Sequence, residues 1–231
     1  MLYISPAIRR LIELALDEDD LGFDVTSGIF FADAVGTARL IAKEPMIIAG
    51  QEVAREVFAR VDAGVSFTSL IPDGERADVG DVVGMVEGPA VSMLRAERTA
   101  LNFLQRLSGV ATLTRTYVDA LGGARVRLVD TRKTLPGYRE LDKYAVRCGG
   151  GHNHRFALSG GVMVKDNHIA AVGSIEEAVL RVRAEAPHTL RVEVEVSSGD
   201  DAIRAIDAGA EIVMLDNMGT EAMREAIAQI R

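Results

Sequence analysis

A second cysteine is missing from this chain: Cys148 stands alone, so no intrachain disulfide can staple the fold. Also missing is any apolar run near the roughly 20 residues that a helix needs to cross a bilayer, and no membrane partner is expected. The amino terminus has neither the charged start nor the apolar core of a signal peptide, which makes the cytoplasm the expected compartment. Basic charge is in short supply, with 26 lysines and arginines against 34 acidic residues and a formal net charge of -8. A general nucleic-acid binder needs the reverse balance, so the basic residues have to be read position by position. Low-complexity segments are absent too, and 48% hydrophobic with 26% charged residues over 231 positions describes a chain that folds. That length suffices for one large domain or two modest ones.

What is present divides into two styles. Ser5-Pro6 signals a helix start, and Ile8, Leu11, Ile12, Ala15 and Leu16 then make one apolar helical face. An acidic, glycine-containing loop follows. Residues 36–43, 65–71 and 82–87 read as strands, separated by a helix over 51–61 and the turn Pro72-Asp73-Gly74. Residues 91–121 read as one or two helices: Leu94, Leu101, Leu104 and Leu107 suit a core-facing stripe and Arg98, Asn102 and Arg106 a polar one, with Ser108-Gly109 expected to break or bend the run. Beyond it, short strands over 125–129, 161–164, 190–196 and 211–215 alternate with helices over 143–148, 175–186, 200–208 and 220–230. Such βα repetition implies parallel strands, closed or nearly closed into a barrel behind a separate α+β layer; an open doubly wound sheet is the competing architecture.

The chemistry gathers where those strands end. Residues 125–129 run into Asp130-Thr131-Arg132-Lys133-Thr134, residues 162–164 into Lys165-Asp166-Asn167-His168, 192–194 into Glu195, and 213–215 into Asp216-Asn217. Ligands of α/β barrels and open sheets bind at that end of the strands. Arg132, Lys133 and Lys165 supply cations, Glu195 and Asp216 supply anions, and His154 and Arg155 arrive from the loop 149–155. Adjacent Arg and Lys suit a ligand bearing several carboxylates or phosphates. Two carboxylates in the same pocket require a hard cation such as Mg²⁺ or sugar hydroxyls between them and that ligand, which points to a phosphorylated sugar. Gly149-Gly150-Gly151 permits close backbone approach but is weak evidence alone.

Four segments carry a resemblance: Glu97 to Asn102; Asp130 to Thr134 with Pro136; the run from Lys143 through Gly149-Gly150-Gly151-His152-Asn153 to Arg155; and Lys165-Asp166-Asn167-His168. Together they resemble the quinolinate phosphoribosyltransferase family, over a span from the Asp20-Leu21-Gly22 region to Leu215-Asp216-Asn217. The resemblance implies an N-terminal α/β sandwich domain over 1–110, with helix 92–121 as connector, and an incomplete parallel α/β barrel over 111–231 that carries the active site. It also implies a homodimer with a shared active site. The family transfers phosphoribosyl from phosphoribosyl pyrophosphate to the nitrogen of quinolinate with Mg²⁺, then releases carbon dioxide to give nicotinate mononucleotide. By motif, Arg98 would reach into the neighbouring subunit's pocket, Arg132, His154, Arg155 and Lys165 would contact the quinolinate carboxylates, and Lys133 and Lys165 would serve the sugar's phosphates. Glu195 and Asp216 would face the ribose hydroxyls and the metal. Lys133, Lys165, Glu195 and Asp216 form the expected catalytic set. In the family, roughly two further βα units, with a Ser-Gly-Gly turn for the 5-phosphate, follow the strand ending in Leu-Asp-Asn. The expectation for a chain ending at Arg231 is therefore a barrel truncated at its C-terminal end.

Other readings stand beside these. Cys148 reads as a small buried residue rather than a nucleophile, and His152-x-His154 lacks a third ligand for zinc. Glu193 and Glu195 share a strand face, so one of them could be a structural ion-pair partner; the family register selects Glu195. His168 either orients the Lys165 loop or touches a ligand. The alternatives to the enzyme are a catalytically silent truncated chain that keeps anion binding or dimerisation, and the phosphoribosyltransferase-like paralogue associated with molybdenum transport. Nicotinate or nicotinamide as acceptor would leave the cations underused.

Overall fold

The computed structural model describes residues 2–19 and 24–230; the Asp20-Leu21-Gly22 segment lies outside them. The chain forms two compact units, Met1–His154 and Arg155–Arg231.

The first unit opens with α1 (Pro6–Asp19), whose start is capped as Ser5-Pro6 foretold: the Ile8 amide donates to Ser5 Oγ at 3.2 Å, and Ile8 and Ile12 are buried. The loop expected next contains α2 (Val25–Phe31), a short helix held by Asp24, whose carboxylate accepts from the Ser27 amide at 2.9 Å. Next come β1 (Val35–Ile41), β2 (Met46–Ile47), α3 (Gln51–Val61), β3 (Ser66–Ser69), β4 (Arg76–Ala77) and β5 (Val82–Pro89). β5 is central in an antiparallel sheet of order β1-β5-β3, and β2 pairs with β4 in a separate two-stranded ribbon. β2 and β4, only two residues each, carry no periodic signal and were missed in the sequence.

α4 (Ala90–Ala120) is a single helix, not two. A mid-helix glycine costs about 1 kcal/mol, far less than α4 gains by burying Phe103, Leu104, Leu107 and Ala111 on either side of it. Ser108 and Thr112 serve the neighbouring strand instead: Ala49 N donates to Ser108 Oγ at 3.1 Å and Ile47 N to Thr112 Oγ1 at 2.8 Å. α5 (Arg139–Cys148) packs Leu141, Tyr144 and Ala145 into the same core. The strand expected over 125–129 reduces to one parallel bridge, Val129 with His152, framed by Asp130 N to His152 O at 3.1 Å and His152 N to Leu128 O at 2.8 Å. Val126 is exposed, so the alternation that suggested a strand has no apolar layer beneath it.

The second unit has a 3-10 turn (Leu158–Gly160), then β6 (Val162–Val164), α6 (Asp166–Val172), α7 (Ile175–Glu185), β7 (Val192–Val196), α8 (Gly199–Asp207), β8 (Ile212–Leu215) and α9 (Thr220–Ile230). Its strands are parallel in the order β6-β7-β8, with Val164 opposite Val194 and Glu195 opposite Met214. Val192, Val194 and Val196 on β7 meet Ile175 and Val179 of α7 and Ala202 and Ala205 of α8 in a core of their own. Ser174 and Ser198 cap α7 and α8, each accepting a backbone N–H at 3.1 Å. The parallel βα architecture expected of this half is present. Among the described residues, no helix is long and apolar enough to cross a membrane.

Arg204 of α8 ties itself to α7, holding Glu176 by Nε at 2.7 Å and Nη2 at 2.8 Å. That fork holds the Glu176 carboxyl well down from its ordinary 4.5, to about 2. A depressed carboxylate adds stability that is present above the unfolded value and is lost as pH falls through the folded one. The Glu176 titration followed by NMR should therefore have its midpoint near pH 2. It should move up in Arg204→Ala and, because the pair is exposed, partly in high salt; an unshifted midpoint in both would refute the assignment.

Candidate active site

Parallel pairing puts the carboxyl ends of β6, β7 and β8 at one edge of the second unit's sheet. Lys165 follows β6, Glu195 is the penultimate residue of β7, and Asp216 follows β8. Lys165 Nζ forms an ion pair with Glu195 Oε2, the Lys165 side chain 38% and the Glu195 side chain 19% exposed. Glu195 and Asp216 line one cleft of about 510 Å³, with Asp166, Ser174, Ser197 and Asn217 contributing polar groups to its walls. Asn217 has a φ of 54°, the left-handed region that Asn tolerates better than most residues, and its Nδ2 donates to Asp216 Oδ2 at 2.8 Å. Arg204 also lines the cleft, but its guanidinium is held by Glu176 and by Asp201 at 3.1 Å.

Of the two readings of His168, the hydrogen bonding favours the one in which it orients the Lys165 loop: the Lys165 amide donates to His168 Nδ1 at 3.0 Å, closing the first turn of α6. Arg155 is fixed at the start of this unit, donating through Nη1 to Gly161 O at 3.0 Å and through Nη2 to Met163 Sδ at 3.4 Å. Glu193, the other candidate on this face of β7, is buried at 6% exposure.

The remaining predicted site residues belong to the first unit. Lys133 is exposed, and its amide donates to Thr131 Oγ1 at 3.0 Å. Arg132 has a buried Nε with no hydrogen-bond partner, an N–H left for an acceptor from outside the chain. His154 is gripped through its backbone, its N–H donating to Asp130 Oδ1 at 2.8 Å and its C=O accepting from Lys143 Nζ at 3.2 Å. Arg98 is exposed on α4. Asp130, Lys143 and Asn153 were not picked out as functional from the sequence, although all three stand inside the quoted motifs. Lys143 is one of five charged residues on α5, so nothing in the sequence set it apart from the others.

The glycine run has a steric explanation. A Cβ on Gly149 would stand 2.4 Å from Ala111 O and 2.5 Å from Thr114 Cβ, and one on Gly151 2.7 Å from Val146 Cγ1. Gly150 has a φ of +91°. Cys148 next to the run is not a nucleophile: burial pushes its thiol up to about 11, so it is protonated at neutral pH.

No group of three or more His, Cys, Asp or Glu side chains that could hold a metal occurs among the described residues. Glu195 and Asp216 nonetheless fit Mg²⁺, which is commonly held by one or two carboxylates together with substrate phosphates and water.

A parallel α/β unit with a lysine and carboxylates gathered at the carboxyl ends of its strands, in a chain that also carries an antiparallel sheet unit, is the architecture of a ligand-binding α/β protein. Residues 20–108 match the family model "Quinolinate phosphoribosyl transferase, N-terminal domain" and residues 110–231 the model "Quinolinate phosphoribosyl transferase, C-terminal domain". The probable nicotinate-nucleotide pyrophosphorylase (carboxylating) of Bacillus subtilis is 44% identical over 217 residues, covering 94% of this chain and 75% of that protein. The human nicotinate-nucleotide pyrophosphorylase (carboxylating) is 40% identical over 216 residues, covering 93% of this chain and 72% of that protein. The crystal structure of NadC from Streptococcus pyogenes superposes with a TM-score of 0.94 at 45% identity, covering all of this chain and 82% of that one. The chain belongs to the quinolinate phosphoribosyl transferase family.

Proposed function

We infer that this chain is a pentosyltransferase of NAD biosynthesis, moving the phosphoribosyl group of phosphoribosyl pyrophosphate onto the ring nitrogen of quinolinate with loss of carbon dioxide. The observation that carries the reading is the Lys165–Glu195 pair beside Asp216 on one strand-end cleft, in a chain of this family. The nitrogen lone pair forms the new bond to the ribose anomeric carbon while that carbon's bond to pyrophosphate breaks. Positive charge develops on the sugar as pyrophosphate leaves, and Glu195 and Asp216 stabilise it electrostatically and bind the ribose hydroxyls. Arg132, His154, Arg155 and Lys165 orient the two carboxylates of quinolinate, the unpartnered Arg132 Nε supplying a fixed donor. Lys133 and Lys165 hold phosphate oxygens. Glu195 and Asp216 would also hold Mg²⁺, which neutralises phosphate charge when bound. Once the nitrogen is quaternary, its positive charge stabilises the electron pair left on the adjacent ring carbon as the carboxylate departs as carbon dioxide, and that pair then bonds a proton from solvent. Little acid–base chemistry is needed; position and charge do most of the work. Exposed Arg98 on α4 suits a residue lent to a second copy's pocket, and a homodimer in the cytoplasm completes the reading.

The test is nicotinate mononucleotide formation from quinolinate, phosphoribosyl pyrophosphate and Mg²⁺ by the purified chain, with its mass in solution measured alongside. Product that disappears when Mg²⁺ is removed, formed by a dimer, is the expected result. Quinolinate binding without product would instead favour the catalytically silent alternative.

A further inference from the structure

The groups that hold His154, and Asp130 at the head of the Arg132-Lys133 segment, have no assigned role in the reaction. Asp130 and Lys143 form an ion pair whose side chains are 8% and 3% exposed. Burying such a pair desolvates both charges, and an apolar pair of similar volume is often as stable or more so, so stability alone is a weak reason for it. Its hydrogen bonds are better explained by what they join. Asp130 Oδ1 accepts from Lys143 Nζ and from His154 N at 2.8 Å, while Oδ2 accepts from Asn153 Nδ2 at 2.6 Å. Lys143 Nζ also donates to His154 O at 3.2 Å, and Asn153 Nδ2 to Lys143 O at 2.9 Å. Asp130 heads the segment that carries Arg132 and Lys133, and among the described residues the Val129–His152 bridge is the one strand pairing between that segment and the loop of His154. The side-chain network thus supplies the rigidity that a longer strand pair would.

We propose that Asp130, Lys143 and Asn153 are positioning residues, a clamp built on a buried ion pair that fixes the Arg132-Lys133 segment and His154 relative to each other so that both meet one quinolinate. The clamp touches no substrate itself and acts through the backbone of residues 130 and 152–154. The inference rests on the functional reading above. Misplacement of binding groups by an ångström is costly in affinity and rate, so loosening the clamp has an effect separable from unfolding.

The experiment compares Lys143→Met, the double variant Asp130→Asn/Lys143→Met, and Asn153→Ala with wild type, measuring urea midpoint, kcat and the KM for quinolinate. Lys143→Met strands a buried carboxylate and should lower the midpoint. The double variant removes both charges and should recover most of that midpoint while its quinolinate KM stays about tenfold above wild type. Asn153→Ala keeps the ion pair, folds, and should raise the same KM several-fold. A quinolinate KM that returns to the wild-type value together with the midpoint would show the clamp to be structural only, as would an unchanged KM in Asn153→Ala. A wild type that neither binds quinolinate nor forms product fails the functional reading, and this inference with it; an active wild type with a normal KM in the variants overturns the clamp alone.

Discussion

Lys165→Ala should fold like wild type and lose about two to three orders of magnitude in kcat/KM, the usual consequence of deleting one preorganised charged group from a transition-state site. The fold should survive because the Lys165 side chain is 38% exposed and its pair with Glu195 is partly solvated. Pairs of that kind contribute roughly 1 kcal/mol or less. The catalytic loss is larger for two reasons that add. A donor to the anionic substrates is removed, and Glu195 is left uncompensated next to Asp216 in the cleft that has to receive them. At ordinary surface dielectric, a unit charge 4 Å away is worth about 4 kcal/mol, which would repel a dicarboxylate or a pyrophosphate strongly. Lys165→Arg should recover only part of the activity, since a planar guanidinium is not interchangeable with a compact ammonium. Steady-state kinetics on both variants, with circular dichroism as a control for folding, is the check. Activity within a few-fold of wild type for Lys165→Ala would remove Lys165 from the catalytic set.

Much of this site was legible in the sequence because it follows from strand ends. The runs at 161–164 and 211–215 stop at Lys165 and Asp216, the run at 190–196 carries Glu195 next to its end, and the parallel register of β6, β7 and β8 brings all three to the same edge. The exact-length match of α3 with the expected helix over 51–61 has the same origin, an apolar face that persists until the chain turns. What escaped the sequence was whatever tertiary contact decides. Ser108-Gly109 left a break or a bend open, and of these the break is excluded: α4 continues through Gly109 because the residues around it are buried. Residues 125–129 alternate like a strand but find a single bridge. Lys143 looked like one more basic residue of a motif; only the packing of α5 turns it inward to Asp130. Local pattern, in short stretches, does not report which neighbour arrives from afar.

Gly149→Ala should cost about 1–3 kcal/mol of stability or more, through contact rather than backbone strain. Gly149 has a φ of -71°, a conformation open to any residue, so the backbone itself would accept alanine. The obstacle is α4: the new Cβ would lie 2.4 Å from Ala111 O, 2.5 Å from Thr114 Cβ and 2.9 Å from Thr114 Cγ2. A carbonyl oxygen cannot move without the helix that holds it, and Ala111 is fully buried in the core that α4 and α5 share. The two helices therefore have to separate at their closest approach. Thr114→Ser, which removes only the methyl, should not rescue Gly149→Ala, because the carbonyl contact remains. Gly150→Ala should behave differently: its neighbours, the Arg115 guanidinium and Val118 Cγ1, stand 3.6–3.7 Å away, so its cost comes from a φ of +91°. Asparagine at position 150 should be tolerated better than alanine there, and no better than alanine at 149. Separation of α4 from α5 should also disturb the loop that runs from Gly149 to His154, since Gly150 N and Gly151 N anchor it to α5 at Arg147 O and Val146 O, each at 2.9 Å. Urea unfolding at unchanged m-value, read beside quinolinate affinity, separates the two consequences. A Gly149→Ala midpoint equal to wild type would refute the steric explanation of the glycine at position 149.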